Sequence, residues 1–128
     1  KDKIIYKNIV MPVTRTILAV LRRYKKQHVL AMMLRYASIL VMGQQWGVPP
    51  SQYDLLYKKY NVRYEGFASP LNSRLMGKKD AKFCSLFKDT DKHFGSLGPF
   101  FNVNMLKPNG IKENPINWTV NPPYVDSL

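Results

Sequence analysis

The 128-residue sequence predicts an α/β protein, with a helical part over residues 1–60 and a mixed sheet over residues 61–128. Three observations carry that expectation. Apolar residues recur at helical spacing from Arg15 onward, residues 43–50 (GQQWGVPP) form a stop-and-turn segment, and short apolar runs after residue 61 alternate with loops rich in Gly, Pro, Asn and Asp. A hydrophobic content of 45% can fill one core, and the length leaves no room for a second full-sized domain.

Residues 1–14 mix Ile4, Ile5, Tyr6, Ile9 and Val10 with Lys, Asn and Pro12, and read as a short strand or an irregular lead-in. Thr14 is placed to cap a helix, because its hydroxyl accepts from an orphan amide of the first turn. Ile17, Leu21, Tyr24 and His28 then share one helical face, and Arg15, Arg22 and Lys26 lie close together on the opposite one. In the same register Arg35 comes round to the apolar side, so Val29 to Met42 is a buried continuation or a second helix after a break. Ser51 caps a helix over 52–60, with Tyr53, Leu56, Tyr57 and Tyr60 on one face and Asn61 closing it. Strands are expected at Val62 to Phe67, Phe83 to Phe87, Phe100 to Leu106 and Ile116 to Val120.

Twenty Lys and Arg against eight Asp and Glu leave a net charge of +12, which argues for a polyanionic partner, nucleic acid above all. The stripe Arg15, Arg22 and Lys26 suits a phosphate backbone, or is a solvated helix face. An arginine within an apolar stretch is costly unless paired. Arg35 therefore contacts a phosphate or carboxylate, or marks a helix break, the break being the simpler reading. Cys84 is the only cysteine, which excludes an internal disulfide and a thiolate zinc cluster and points to an intracellular location, nucleus or cytoplasm. No apolar run reaches the roughly 20 residues of a membrane span, so no membrane partner is expected. His28 and His93 lack companions at metal-ligand spacing, so no metal is expected either.

The sharpest motif is Asn121-Pro122-Pro123-Tyr124, after the apolar run ending at Val120. The exocyclic nitrogen of adenine is a poor nucleophile because its lone pair is delocalised into the ring. The Asn121 side-chain carbonyl and the Pro122 main-chain carbonyl suit the two amino hydrogens, holding that nitrogen in line with an electrophilic methyl group. Proline rigidity, at Pro122 and Pro123, presets those acceptors, and Tyr124 offers a stacking face for the base. Two plainer readings stand beside this one: a simple proline turn, or a Pro-Pro-Tyr ligand for a WW-type domain.

Four ordered blocks extend the pattern: residues 45–57 (QWGVPPSQYDLLY), 65–72 (EGFASPLN), 83–100 (FCSLFKDTDKHFGSLGPF) and 121–124 (NPPY). In this order the sequence resembles the phosphorylated-CTD-interacting-factor family of cap-specific adenosine N6-methyltransferases. The resemblance implies a helical domain packed on a Rossmann-like methyltransferase sheet, S-adenosylmethionine as cofactor, and RNA as substrate. It further implies that Phe67, Ala68, Ser69, Pro70 and Asn72 line the cofactor, with Asp89, Asp91, Phe94 and Gly95 holding it or ordering its site. Asn121 to Tyr124 would be catalytic, with Tyr124 in place of the family's Phe. Residues 77–82 (GKKDAK) are a basic insertion relative to that pattern. Too few residues follow Val62 for a complete sheet, which usually needs more than ~100. The expectation is therefore an incomplete Rossmann-like sheet: a fragment of a longer protein, a half completed by a segment on another chain, or a remnant retained as a non-catalytic RNA-binding or assembly subunit. A viral source is compatible with all of this.

Overall fold

The computed structural model describes residues 2–37, 39, 50–110 and 116–121. It is mixed α/β with two small sheets. The lead-in is a hairpin of β1 (Asp2–Tyr6) and β2 (Ile9–Val13), paired antiparallel with Tyr6 opposite Ile9. Its two-residue turn places Lys7 at φ 54°, the positive value that matches a turn to the twist of its strands. Pro12 is tolerated because a two-stranded ribbon consists of edges.

Thr14 caps α1 (Arg15–Leu21), its hydroxyl accepting the Ile17 amide at 3.2 Å. The helix stops there, and α2 (Lys26–Ala37) starts afresh after a four-residue elbow. The break has a geometric cause. α1 buries Ile17, Val20 and Leu21, whereas α2 buries Met32, Met33 and Tyr36. On one continuous helix those two faces would point about 110 degrees apart, at roughly 100 degrees per residue. An elbow at Arg22 to Lys25 turns both toward the same core. Two expectations change as a result. The stripe of Arg15, Arg22 and Lys26 is interrupted, although all three residues are exposed. Arg35 marks no break, since it sits inside α2 and is paired with a carboxylate.

The helix expected over 52–60 begins earlier, as α3 (Pro50–Tyr60), so Ser51 lies in its first turn rather than before it. A proline suits a first turn, where its missing amide hydrogen costs nothing. Asn61 ends the helix in the left-handed region at φ 54°, and the Val62 amide returns to the Leu56 carbonyl.

The second sheet is parallel, in the order β4-β3-β5, where β3 is Tyr64–Glu65, β4 is Lys82–Phe83 and β5 is Trp118–Thr119. A single parallel bridge sets Ser96 on the outer side of Phe83. These strands are shorter than expected, because loops leave the sheet immediately after Glu65 and Phe83. The run from Phe100 to Leu106 is no strand. It opens with a 3-10 turn, Phe100–Asn102, and its residues Phe101, Met105 and Leu106 are exposed. Between β4 and that turn lie a short helix, α4 (Lys88–Asp91), and a 3-10 turn, Lys92–Phe94.

One core crosses residue 61. Met11 and Val13 of β2, Ile17 and Leu21 of α1, and Met32, Met33 and Tyr36 of α2 pack with Leu71, Met76, Phe83 and Phe94. α3 has a smaller cluster, Tyr53 with Val62 and Leu75, and the Tyr57 hydroxyl donates to the Lys79 carbonyl at 2.8 Å. Tyr60, expected on the same face, is exposed.

Candidate functional site

Of the three parallel strands the first in the chain, β3, is the central one, and the chain reaches β4 on one side and β5 on the other. Where successive crossovers leave a strand in opposite directions, the loops at the carboxyl ends part and leave a crevice. Here those loops start at Gly66, Cys84 and Val120. They are stitched together by main-chain bonds, the Gly66 amide to the Thr119 carbonyl at 2.8 Å and the Ala68 amide to the Cys84 carbonyl at 2.9 Å. The space at Gly66 is tight: a Cβ there would meet the Phe100 ring at 3.1 Å and the Val120 side chain at 3.4 Å. The rings of Phe67 and Phe100 lie 5.0 Å apart, Phe101 stands against both, and Trp118 meets Phe100 edge-on at 5.7 Å. Phe101 is 85% exposed, an unusual position for so large a ring.

The loop after β3 is rigid by construction. Asn72 accepts the Ser69 amide at 2.7 Å through Oδ1, and the Ser69 hydroxyl accepts the Leu71 amide at 3.2 Å. Ser69 and Pro70 are buried, while Phe67, Ala68 and Asn72 are half-buried. The residue that clamps this loop was not singled out from the sequence. Glu65, at the end of β3, is buried and accepts from the Ser73 hydroxyl, the Arg74 amide at 3.0 Å and the Leu75 amide at 3.1 Å. Burial holds its carboxyl above the usual range, although those donors pull the other way. The signal was an acidic residue between Tyr64 and Gly66, in a short run that also holds Val62 and Phe67.

Asp89 and Asp91 have separate roles. Asp89 forms a two-pronged ion pair with Arg35, at 2.9 and 3.0 Å, and the guanidinium also lies 4.7 Å from the Phe87 ring centre. Asp91 is fully buried and accepts the hydroxyls of Tyr36, Ser85 and Thr90. The Ser85 proton goes to Asp91, so Ser96, 2.6 Å away, must donate to Ser85 and accept from the Gly98 amide. This chain of bonds ties α2 to both loops beside β4. Burial, and then the bond to Asp91, push the Tyr36 hydroxyl far above its ordinary value. Phe94 is a core residue packed on Tyr24, and Gly95 takes φ 98° to close the 3-10 turn. Cys84 is buried, and burial pushes its thiol up to about 11, which makes it inert.

Asn121 follows Val120 directly off β5 and is exposed at the same edge as Gly66 and Phe100. Pro122, Pro123 and Tyr124 lie outside the described residues. Among the described residues no three His, Cys, Asp or Glu side chains gather as a metal site, and no helix is long and apolar enough to cross a membrane.

Fold and edge together define a small α/β protein with a three-stranded parallel sheet whose central strand comes first in the chain. A family model described as Phosphorylated CTD interacting factor 1 WW domain matches residues 10–128, and the chain belongs to that family. Relatives in Mus musculus and Homo sapiens, each named mRNA (2'-O-methyladenosine-N(6)-)-methyltransferase, are 33% identical to it over 86 residues. That match covers 67% of this chain and 10% of each relative, so the chain spans about a tenth of their length.

Proposed function

We propose that this chain carries the cofactor-side edge of an S-adenosylmethionine-dependent adenine N6-methyltransferase acting on RNA, at the adenosine next to the cap. The observation that supports it most is the sheet order. With the bridge at Ser96 counted as a fourth position, the succession Ser96, β4, β3, β5 is compatible with the 3-2-1-4 part of a Rossmann-like order, one half plus the first strand of the other. Phe67 to Asn72 then follow the first strand and Asn121 follows the fourth, the two places that flank a switch-point crevice. The donor set fits a nucleoside ligand in kind, with an accessible aromatic face at Phe101, a half-buried one at Phe67 and an exposed amide at Asn121.

S-adenosylmethionine supplies the electrophilic methyl group when bound. Asn121 and Pro122 accept the two amino hydrogens of adenine through their carbonyl oxygens and favour build-up of the nitrogen lone pair. Tyr124 stacks on the base, contributing roughly 1–3 kcal/mol. The loop clamped by Glu65 keeps Phe67 to Asn72 in place before any ligand arrives. Asp89 and Asp91 support the site indirectly, since the first is held by Arg35 and the second is enclosed. An mRNA substrate and a single buried thiol fit an intracellular setting.

Calorimetric titration of S-adenosylmethionine into the full-length protein tests this, alongside methyl transfer to capped RNA. Asn121→Ala is expected to lower kcat about 100-fold or more with cofactor binding retained. Absence of cofactor binding, or unchanged transfer in that variant, overturns the reading.

A second reading has its own support. Strands of two residues beside exposed Phe101, Leu106 and Val120 suit a retained, non-catalytic module covered by another segment in a larger RNA-binding assembly. Purification of the native protein distinguishes the two: a stable complex without cofactor affinity favours the module.

A further inference from the structure

We propose that the α1–α2 elbow, the turn at residues 77–82 and the 3-10 turn Lys92–Phe94 form one docking surface for the phosphate backbone of single-stranded RNA, and that the stacked His28–His93 pair makes its affinity rise as pH falls. The elbow is far in sequence from the other two segments, and three contacts join them. Arg23 in the elbow donates to the Gly77 carbonyl at 3.4 Å, bringing Arg22 and Lys25 beside the basic turn that carries Lys79 and Lys82. His28, in the first turn of α2, stacks on His93 with ring centres 3.7 Å apart and planes within 9°. The Lys82 side chain runs toward Gly95, which closes the turn bearing Lys92 and His93.

Its chemistry selects the partner. Arg22, Lys25, Lys79 and Lys92 are exposed. The acids on or beside these segments are mostly engaged: Asp54 with Lys78, Asp89 with Arg35, and Asp91 inside the core, which leaves Asp80 in the turn. None of the large exposed apolar side chains among the described residues belongs to these three segments. A surface without an apolar component suits a solvated phosphate backbone better than a lipid interface, where apolar side chains insert. The choice of RNA among polyanions rests on the substrate proposed above, whereas the surface itself does not.

The histidine pair adds a proton linkage. Among the described residues the charged groups that act on His28 are His93 on the neighbouring turn and Lys25 on its own elbow. On the far side Lys92 adjoins His93, and Tyr24 packs on Phe94. Desolvation first, and then His93 and Lys25, hold the His28 imidazole below its ordinary value. A phosphate laid across the two rings opposes that lowering, so binding takes up protons and strengthens as pH falls.

Fluorescence anisotropy of a labelled uridine 12-mer, titrated with the full chain over 50–300 mM KCl at pH 7.5 and 5.5, tests both parts. Wild type is expected to bind with a steep negative salt slope and about tenfold more tightly at pH 5.5 than at 7.5. R22E/K25E, whose side chains are exposed, is expected to retain its circular dichroism spectrum and to lose about 1.4 from the slope, roughly 0.7 per phosphate contact. His93→Phe preserves a stacking ring and is expected to flatten the pH dependence while keeping the salt slope. Wild-type affinity for R22E/K25E, or pH-independent binding by wild type, overturns the proposal, as does tighter binding of a phosphorylated peptide of equal charge. Cofactor titration of the same samples is a separate readout. Its failure removes the transferase reading and leaves the surface standing.

Discussion

Asp91 and Glu65 are carboxylates that the fold takes out of water, and each is retained by hydroxyl and amide donors rather than by a cation. Asp91 accepts from Tyr36, Ser85 and Thr90, so truncation would strand several buried hydroxyls at once. Asp91→Ala is expected to cost on the order of 3 kcal/mol, measured as a shift of the urea midpoint followed by tryptophan fluorescence. His28 has the opposite character, lying near the surface with its pKa lowered by desolvation first and then by His93 and Lys25. The unfolded chain therefore takes up its proton first, close to the ordinary imidazole value of 6.5, and stability falls as pH drops through that value toward the folded one. Thermal midpoints between pH 7.5 and 5.5 should decline for wild type and decline less for His28→Phe.

At the level of elements, short pieces are held by single contacts whose loss is measurable. The Thr14 hydroxyl bonded to the Ile17 amide starts α1, and Thr14→Ala should lower stability by about 1 kcal/mol. Gly77 at φ 86° is where the 77–82 turn meets α1, and an added Cβ would fall 2.9 Å from Val20 Cγ1. Gly77→Ala is expected to cost about 1–2 kcal/mol from backbone strain and crowding, read from the thermal midpoint. It should also weaken the docking surface, because Arg23 reaches the carbonyl of that same glycine. Phe101 offers a contrast. Being 85% exposed, Phe101→Ser should change stability by less than about 0.5 kcal/mol while reducing affinity for the nucleoside ligand, seen by calorimetry.

Across the whole molecule, one core draws on hairpin, helices and sheet from both sides of residue 61. The chain of bonds from Gly98 through Ser96 and Ser85 to Asp91 and Tyr36 couples α2 to the loops at the sheet's carboxyl edge. Perturbing that chain should therefore be felt in ligand affinity as well as in stability. Asp91→Asn, which conserves volume and part of the hydrogen bonding, separates these effects. On the methyltransferase reading proposed above, it is expected to weaken cofactor binding more than its loss of stability alone would predict, with hydrogen exchange at Ser85 and Gly98 rising.

Local chemistry made much of this legible in advance. The Thr14 cap, the closing Asn61 and the strand before Asn121 depend on neighbours within a few residues, and all three occur as expected. The family relationship was legible for a similar reason, since it resides in ordered blocks of residues. What tertiary structure alone decided involves partners distant along the chain. The elbow at Arg22 to Lys25 exists because two buried faces must meet one core, and Arg35 belongs in α2 because Asp89 waits across the fold. Glu65, Asp91 and the His28–His93 stack are defined by neighbours that no spacing rule relates to them. Periodicity reports which side of an element is apolar; only packing determines what that side meets.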